Sequence, residues 1–349
     1  MRTYTLDLNF VGVLEESEQK AIMPGKVYVA GSERISLLVL LGTCMWCWIL
    51  SWFASYHLDL SGVVQTRLPH ELKAPLTHLQ LQKASKEFTI SLWARVAPLL
   101  ALGILLHPIA ENFPVLFIVE HCLPLLEFAV IIWYLLKRSP ILSYCARRIL
   151  LIEPKPKELR NVYILLSDSL TSFSKPLIDF SLYMTAFLFD TYSHLDLAVA
   201  MIPVSIRMFQ CAREYYLTRD KQHIWNFVKY STNVPILVCV WYSRVQPDKF
   251  QYGTQLWFML LNASYTFYWD VFIDWKLESV LKLRSKGLDF PSLVYYTGIC
   301  IDFVIKYWWL WTLHSGRSAL FFPSEIQYLE ILRRAVWVFF KLDAERSVG

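Results

Sequence analysis

The run from Ser292 to His314, SLVYYTGICIDFVIKYWWLWTLH, is long enough to cross a bilayer, which takes ~20 helical residues, yet Asp302 and Lys306 sit near its middle. This combination restricts the fold severely, because a charge in hydrocarbon is costly unless it faces water, a partner or a ligand. The spacing from Asp302 to Lys306 to Trp309 puts all three on one helix face. After a short polar break, the stretch EIQYLEILRRAVWVFFKLDAER adds Arg333 and Arg334 inside a second apolar run. Two readings fit. In one, these helices wall a polar cavity whose Lys and Arg suit an anion. In the other, Asp302 and Lys306 are a structural ion pair, and the arginines snorkel to the headgroups.

The rest of the chain is equally apolar: 55% of its 349 residues are hydrophobic and only 18% are charged. That composition excludes an ordinary soluble domain and predicts an all-α, polytopic helical membrane protein. The net charge of +5 is spread over interhelical segments, so it speaks for topology and not for nucleic acid. Cys44 and Cys47 form a C-x-x-C within an apolar run that has no His or second Cys pair nearby, so they read as small buried hydrophobes. A P-loop, a G-x-S-x-G elbow and an H-E-x-x-H are missing, and no nucleophile and base pair up. An enzyme is therefore not expected, nor a cofactor or metal. No cleavable signal peptide is evident in the polar segment before Arg34, so the first span is expected to serve as targeting signal.

Nine apolar segments are predicted, at 36–55, 92–109, 114–136, 176–193, 195–211, 232–247, 254–273, 291–313 and 326–341. The basic stretches following the third (Lys137 to Arg160), the fifth (Arg213 to Lys229) and the seventh (Lys276 to Lys286) fall on one side, which the positive-inside rule makes cytosolic. The C-terminus then faces the cytosol, and the acidic N-terminal segment faces the lumen or exterior. The expected organisation is a polar segment 1–35, transmembrane helices over 36–136, a basic cytosolic loop 137–160, and a transmembrane domain over 161–345. The polar stretch from Tyr56 to Ser91 is expected to be the largest insert outside the membrane. Asn262-Ala-Ser264 is formally a glycosylation acceptor, but inside a predicted span no glycosyltransferase reaches it.

Further polar groups recur where lipid should be. Asp270 and Asp274 lie one turn apart at the end of the seventh segment. Ser167-Asp168-Ser169-Leu170-Thr171-Ser172 supplies a carboxylate and hydroxyls before the fourth; it reads either as part of an oxyanion site or as a helix N-cap. Arg207 in the fifth segment, and Lys229 with Tyr230 entering the sixth, are basic groups in apolar surroundings.

Taken in order, Gln210-Cys211, Arg213, Arg219-Asp220, Lys229-Tyr230-Ser231, Trp269-Asp270, Asp274-Trp275 and Leu329-Glu330-Ile331-Leu332-Arg333-Arg334 with Trp337, Phe339 and Phe340 resemble the signature of the EXS-domain family. That family includes phosphate exporters of the retrovirus-receptor and plant types, and a shorter fungal Golgi member required for retention of ER lumenal proteins. This chain shows no counterpart of the exporters' large SPX domain and looks most like the short member. The resemblance implies a phosphate pathway through the bundle. It assigns Asp168, Thr171, Lys229, Tyr230, Lys306, Arg333 and Arg334 to substrate binding, Trp309 to a gate, and Asp270 and Asp274 to supporting polar groups, to which the charges read in apolar runs add Arg207 and Asp302.

The resemblance further implies a Golgi membrane transporter carrying inorganic phosphate from lumen to cytosol, in support of glycosylation and of the retention of ER lumenal proteins and glycosyltransferases. The alternative is a non-transporting sorting factor for glycosyltransferase recycling. Implied partners are inorganic phosphate, membrane lipids and a Golgi coat adaptor for glycosyltransferase sorting, with room for a homodimer. The chain also departs from the family pattern. Lys306 stands where the family has Arg and gives up the planar fork that binds phosphate twice. Asp196 stands where a pocket Arg is usual, Val338 where Asn is usual, and Asp343-Ala-Glu-Arg346 replaces a Glu-Asn-Glu-His ending.

Overall fold

The computed structural model describes residues 33–71, 74–110, 112–189, 195–280, 282–284, 288–315 and 324–347. Among them every regular element is helical: α1 (Arg34–Ser55), α2 (His78–Ala110), α3 (Pro114–Arg138), α4 (Pro140–Arg147), α5 (Lys157–Thr171), α6 (Ser174–Phe189), α7 (Leu195–Thr218), α8 (Gln222–Ser231), α9 (Asn233–Val245), α10 (Tyr252–Tyr268), α11 (Ser292–Lys306), α12 (Trp308–Ser315) and α13 (Glu325–Ser347). A short 3-10 turn, Pro247–Lys249, and a π-helical turn, Trp269–Asp274, complete the set.

Among the described residues three helices are long and apolar enough to cross a membrane, over Arg34–Ser55, His78–His107 and Pro114–Arg138. The outer surface agrees with a lipid setting: Leu293 is 75% exposed, and Val115 and Trp257 72% each, an arrangement water would penalise. Each of the nine apolar segments falls on helix, although residues 190–193 of the fourth lie outside the described set, as does most of the N-terminal polar segment. The later segments are shorter, broken or charged. The eighth is split at Tyr307, which separates α11 from α12. The seventh ends in the π turn.

The stretch from Tyr56 to Ser91 is only partly an insert, because α2 begins at His78 and runs on as one helix. Ser85 and Thr89 are buried in it and approach the Cys47 sulfur at 3.1 Å, so helix packing starts well before the apolar run does. The Ser167 to Ser172 run is likewise not an N-cap. It forms the last turn of α5, whose helix stops at Thr171 before α6 begins at Ser174.

The helices α1, α2 and α3 form one group around Leu40, Leu92, Val96, Ile131 and Tyr134. The larger core gathers Phe53, Phe290, Trp275, Trp337, Phe339 and Phe340, which joins α1 to α13 and to the π turn. Gly298 lets α11 approach α13 closely: a Cβ there would overlap the Phe340 ring. Because α13 is central, Arg333 and Arg334 are carried into the bundle and not to its rim.

Candidate functional site

A cavity of about 170 Å³ opens between α5, α6, α7, α8, α9, α10, the π turn, α11, α12 and α13. By the same measure a single water requires ~10–15 Å³, so a small hydrated ion fits. One wall is apolar, with Ile178, Val204, Ile236 and Met259; the other carries Lys229, Lys306, Arg333 and Arg334 with Asp270, Glu330, Thr171 and Ser172. Such a division offers an ion its contacts on one side and excludes water on the other.

The charged wall is a network. Asp270 receives Lys306 at 2.8 Å, Arg333 at 3.1 Å and Lys229 at 3.4 Å. Arg333 also reaches Asp302 at 3.2 Å and Glu330 at 2.6 Å, so three carboxylates hold it. Lys306 lies 4.0 Å from Asp302, its partner one turn back, and prefers Asp270. The ion pair expected along α11 is therefore displaced onto the π turn. A π turn adds a residue between hydrogen-bonded backbone groups and is often found at functional sites. Here Asp270 lies on the cavity wall while Asp274 accepts the Trp337 indole at 3.1 Å and Lys341 at 3.0 Å.

Arg334 differs from its neighbour. Its Nε donates to the Ser172 hydroxyl at 2.8 Å and its Nη2 to the Thr171 hydroxyl at 2.9 Å, and its guanidinium lies 4.8 Å over Trp337. No described carboxylate pairs with it. Its direct hydrogen bonds go to hydroxyls, while Glu330, Asp270 and Asp168 lie within electrostatic range without pairing with it, so the guanidinium keeps N–H groups for an anion on the cavity wall. Ser172 in turn donates to Glu330 at 2.8 Å, and Thr171 to the Asp168 carbonyl at 2.7 Å, so both hydroxyls are held in place.

Eight of the twelve residues singled out from the sequence line the cavity: Thr171, Lys229, Tyr230, Asp270, Lys306, Trp309, Arg333 and Arg334. The remaining four, Asp168, Arg207, Asp274 and Asp302, stand behind it. Asp168 accepts the Tyr230 hydroxyl and pairs with Arg207 at 2.6 Å, while the Arg207 guanidinium covers the Tyr230 ring at 4.9 Å. Its carboxylate thus fixes Tyr230 from behind and is not itself on the wall. Trp309 packs with Ile178, Ile236 and Met259 at the apolar side, and its indole N–H has no hydrogen-bond partner among the described residues. Asp196 does not oppose an anion: it is buried in a fork with Arg244, at 2.9 and 3.1 Å.

Sequence reasoning did not single out Glu330, Lys175, Gln327 or Asn262 as wall residues. Glu330 had a signal, its i,i+3 spacing to Arg333. Lys175 and Gln327 meet through Asp179, which accepts them at 3.0 and 2.8 Å and also receives Arg34 of α1 at 2.8 Å. Only the tertiary fold brings those together. Asn262 donates to the Thr232 hydroxyl at 2.7 Å and is buried, in keeping with its dismissal as a glycosylation acceptor.

Comparison with known proteins agrees with the signature read from the residues. Residues 32–347 match the EXS family. The chain is 39% identical to Protein ERD1 of Saccharomyces cerevisiae, over 95% of this chain and 97% of that protein. It is 32% identical to Protein ERD1 of Kluyveromyces lactis, over 94% and 97%. It is also 30% identical to Phosphate transporter PHO1 homolog 8 of Arabidopsis thaliana, over 45% of this chain and 22% of that protein. With a family match that takes in the whole helical bundle around the cavity, the chain belongs to the EXS family.

Proposed function

We propose that this chain is a facilitative transporter of the Golgi membrane that passes inorganic phosphate from lumen to cytosol through the cavity. In this reading all nine apolar segments cross or enter the bilayer, the basic stretches lie in the cytosol, and the C-terminus is cytosolic. The observation that carries the reading is Arg334, a cavity-wall guanidinium supported by Ser172 and Thr171 with no described carboxylate against it. The similarity to a protein named as a phosphate transporter supports the choice of anion.

Arg334, held in place by the two hydroxyls, and Lys229 replace the hydration of the phosphate. Asp270 and Glu330 hold the neighbouring cations in competition with it, so binding stays weak enough for release. Trp309, at the apolar side, gates passage. Removing phosphate freed in the lumen sustains glycosylation, and through it the retention of ER lumenal proteins and glycosyltransferases. No catalytic chemistry or cofactor is part of this function.

Radiolabelled phosphate flux into proteoliposomes tests the proposal. Saturable flux above protein-free vesicles, with its KM raised about tenfold or more in folded Arg334→Ala, is the expected result. Flux at the protein-free level in wild type and variant alike would overturn it and favour a sorting role exercised with a coat adaptor at the cytosolic face.

A further inference from the structure

A second group of buried titratable side chains lies away from the cavity, between α1, α2 and α3. Glu127 of α3 is 0% exposed, and neither carboxyl oxygen meets a hydrogen-bond donor in good geometry. Ser36 of α1 is also fully buried, its hydroxyl is likewise without a bonded partner, and it stands beside Glu127 at the margin of hydrogen-bonding reach. Two orphaned polar groups of different chemistry thus face each other in an apolar interior. An ionised carboxylate there would have the Ser36 hydroxyl as its one nearby donor, which is a costly state; a neutral acid has one proton to give and a hydroxyl to receive it.

The groups leading to Glu127 grade from surface to interior. His107, near the C-terminal end of α2, is 42% exposed and meets Glu120 at 2.8 Å. Glu120 is buried, and Glu33, at the start of α1, lies within electrostatic range of both Glu120 and Glu127, its carboxyl resting against Gly103 of α2. Glu127 follows Glu120 on the same helix face, ~10 Å deeper along α3. The other charged or titratable groups nearby are committed. Arg34 pairs with Asp179, the His121 ring meets the Phe117 carbonyl at 2.9 Å, and the Tyr183 hydroxyl donates to the His121 carbonyl. A single fully buried carboxyl beside one hydroxyl, with no cation paired to it among the described residues, suits a proton as its ligand.

We propose that Glu127 with Ser36 is a proton-binding site, reached from the surface through His107, Glu120 and Glu33. The site is separate from the anion cavity. It reaches the cavity's surroundings through Arg34, whose partner Asp179 also holds the wall residues Lys175 and Gln327, and through the packing of Ile35, Leu125 and Phe128 on Phe180 and Tyr183 of α6.

Infrared difference spectroscopy of the full chain in lipid vesicles tests this without reference to phosphate flux. At neutral pH, wild type shows the carbonyl stretch of a neutral carboxylic acid. Glu127→Gln removes it, Ser36→Ala shifts its frequency without removing it, and His107→Ala slows its exchange in heavy water several-fold. The Ser36→Ala spectrum decides the matter even if Glu127→Gln does not fold. A wild type without that band, or a band that both Glu127→Gln and Ser36→Ala leave unchanged, would overturn the site; exchange as fast in His107→Ala as in wild type would overturn the path.

Discussion

Arg333 and Arg334 are neighbours in sequence, yet their partners predict opposite phenotypes. Arg333 binds Asp270, Asp302 and Glu330; in Arg333→Ala, Asp270 keeps Lys306 and Lys229 and Glu330 keeps Ser172, but buried Asp302 is left with Lys306 at 4.0 Å alone. Breaking a buried ion pair from one side costs ~3–5 kcal/mol, enough to lower the unfolding midpoint severely. Arg334→Ala strands no carboxylate, because Ser172 keeps Glu330 and Thr171 keeps the Asp168 carbonyl. Its loss comprises two hydrogen bonds of ~0.5–1.5 kcal/mol each, more where the donor is charged, and a cation–π contact of ~0.5–1 kcal/mol. For phosphate the ranking reverses. A charge-assisted hydrogen bond contributes ~1.5–3 kcal/mol, which at ~1.4 kcal/mol per decade raises KM roughly ten- to 150-fold in Arg334→Ala. Unfolding in one detergent, alongside phosphate flux on the folded fraction, measures both quantities. An Arg333→Ala protein as stable as wild type, or an Arg334→Ala protein with wild-type KM, refutes the division of roles.

Single contacts set further expectations. Tyr230→Phe removes the hydroxyl donor of Asp168 but leaves the ring between Arg207 and Lys229; thermal unfolding should show a loss of about 1–3 kcal/mol. Gly298→Ala drives a methyl group into the Phe340 ring, which Trp275 and Tyr295 hold from the other sides; a loss of ~1–3 kcal/mol should be recovered in part by adding Phe340→Leu. At the C-terminal end of α13, beyond the last apolar segment, burial works to raise the Glu345 carboxyl. Lys341 at 3.1 Å, Lys276 at 3.5 Å and Lys157 at 3.2 Å outweigh it and hold the group down to about 2. A carboxylate held low contributes stability that is present above its unfolded value of about 4.3 and lost as pH falls towards 2. The acid limb of a pH–stability profile should therefore be shallower in Glu345→Gln across that window.

The charged wall was legible in the sequence because hydrocarbon makes charge conspicuous. Lys306, Arg333 and Arg334 stand out inside apolar runs, and helical spacing brings Lys306 and Trp309 to one cavity despite the break at Tyr307. Partner choice was not legible. Whether Lys306 pairs with Asp302 or Asp270 depends on the π turn, and no propensity of the WDVFID segment announces that turn. The placement of Asp168 behind Tyr230 likewise depends on where α5 ends against α7 and α8, a matter of tertiary packing. The residues Glu120 and Glu127 illustrate the converse. Their seven-residue spacing inside an apolar run carried the same signal as Asp302, but the surrounding helix was read as an ordinary span.

Transport through this cavity requires phosphate to lie against Arg334, and a structure of the full chain in lipid nanodiscs at saturating phosphate tests that most directly. The predicted result is a tetrahedral density within hydrogen-bonding distance of the Arg334 guanidinium, with Ser172 and Thr171 still bonded to Arg334 and Arg333 still held by Asp302 and Glu330. Density for phosphate elsewhere in the bundle, with Arg334 untouched, would contradict it.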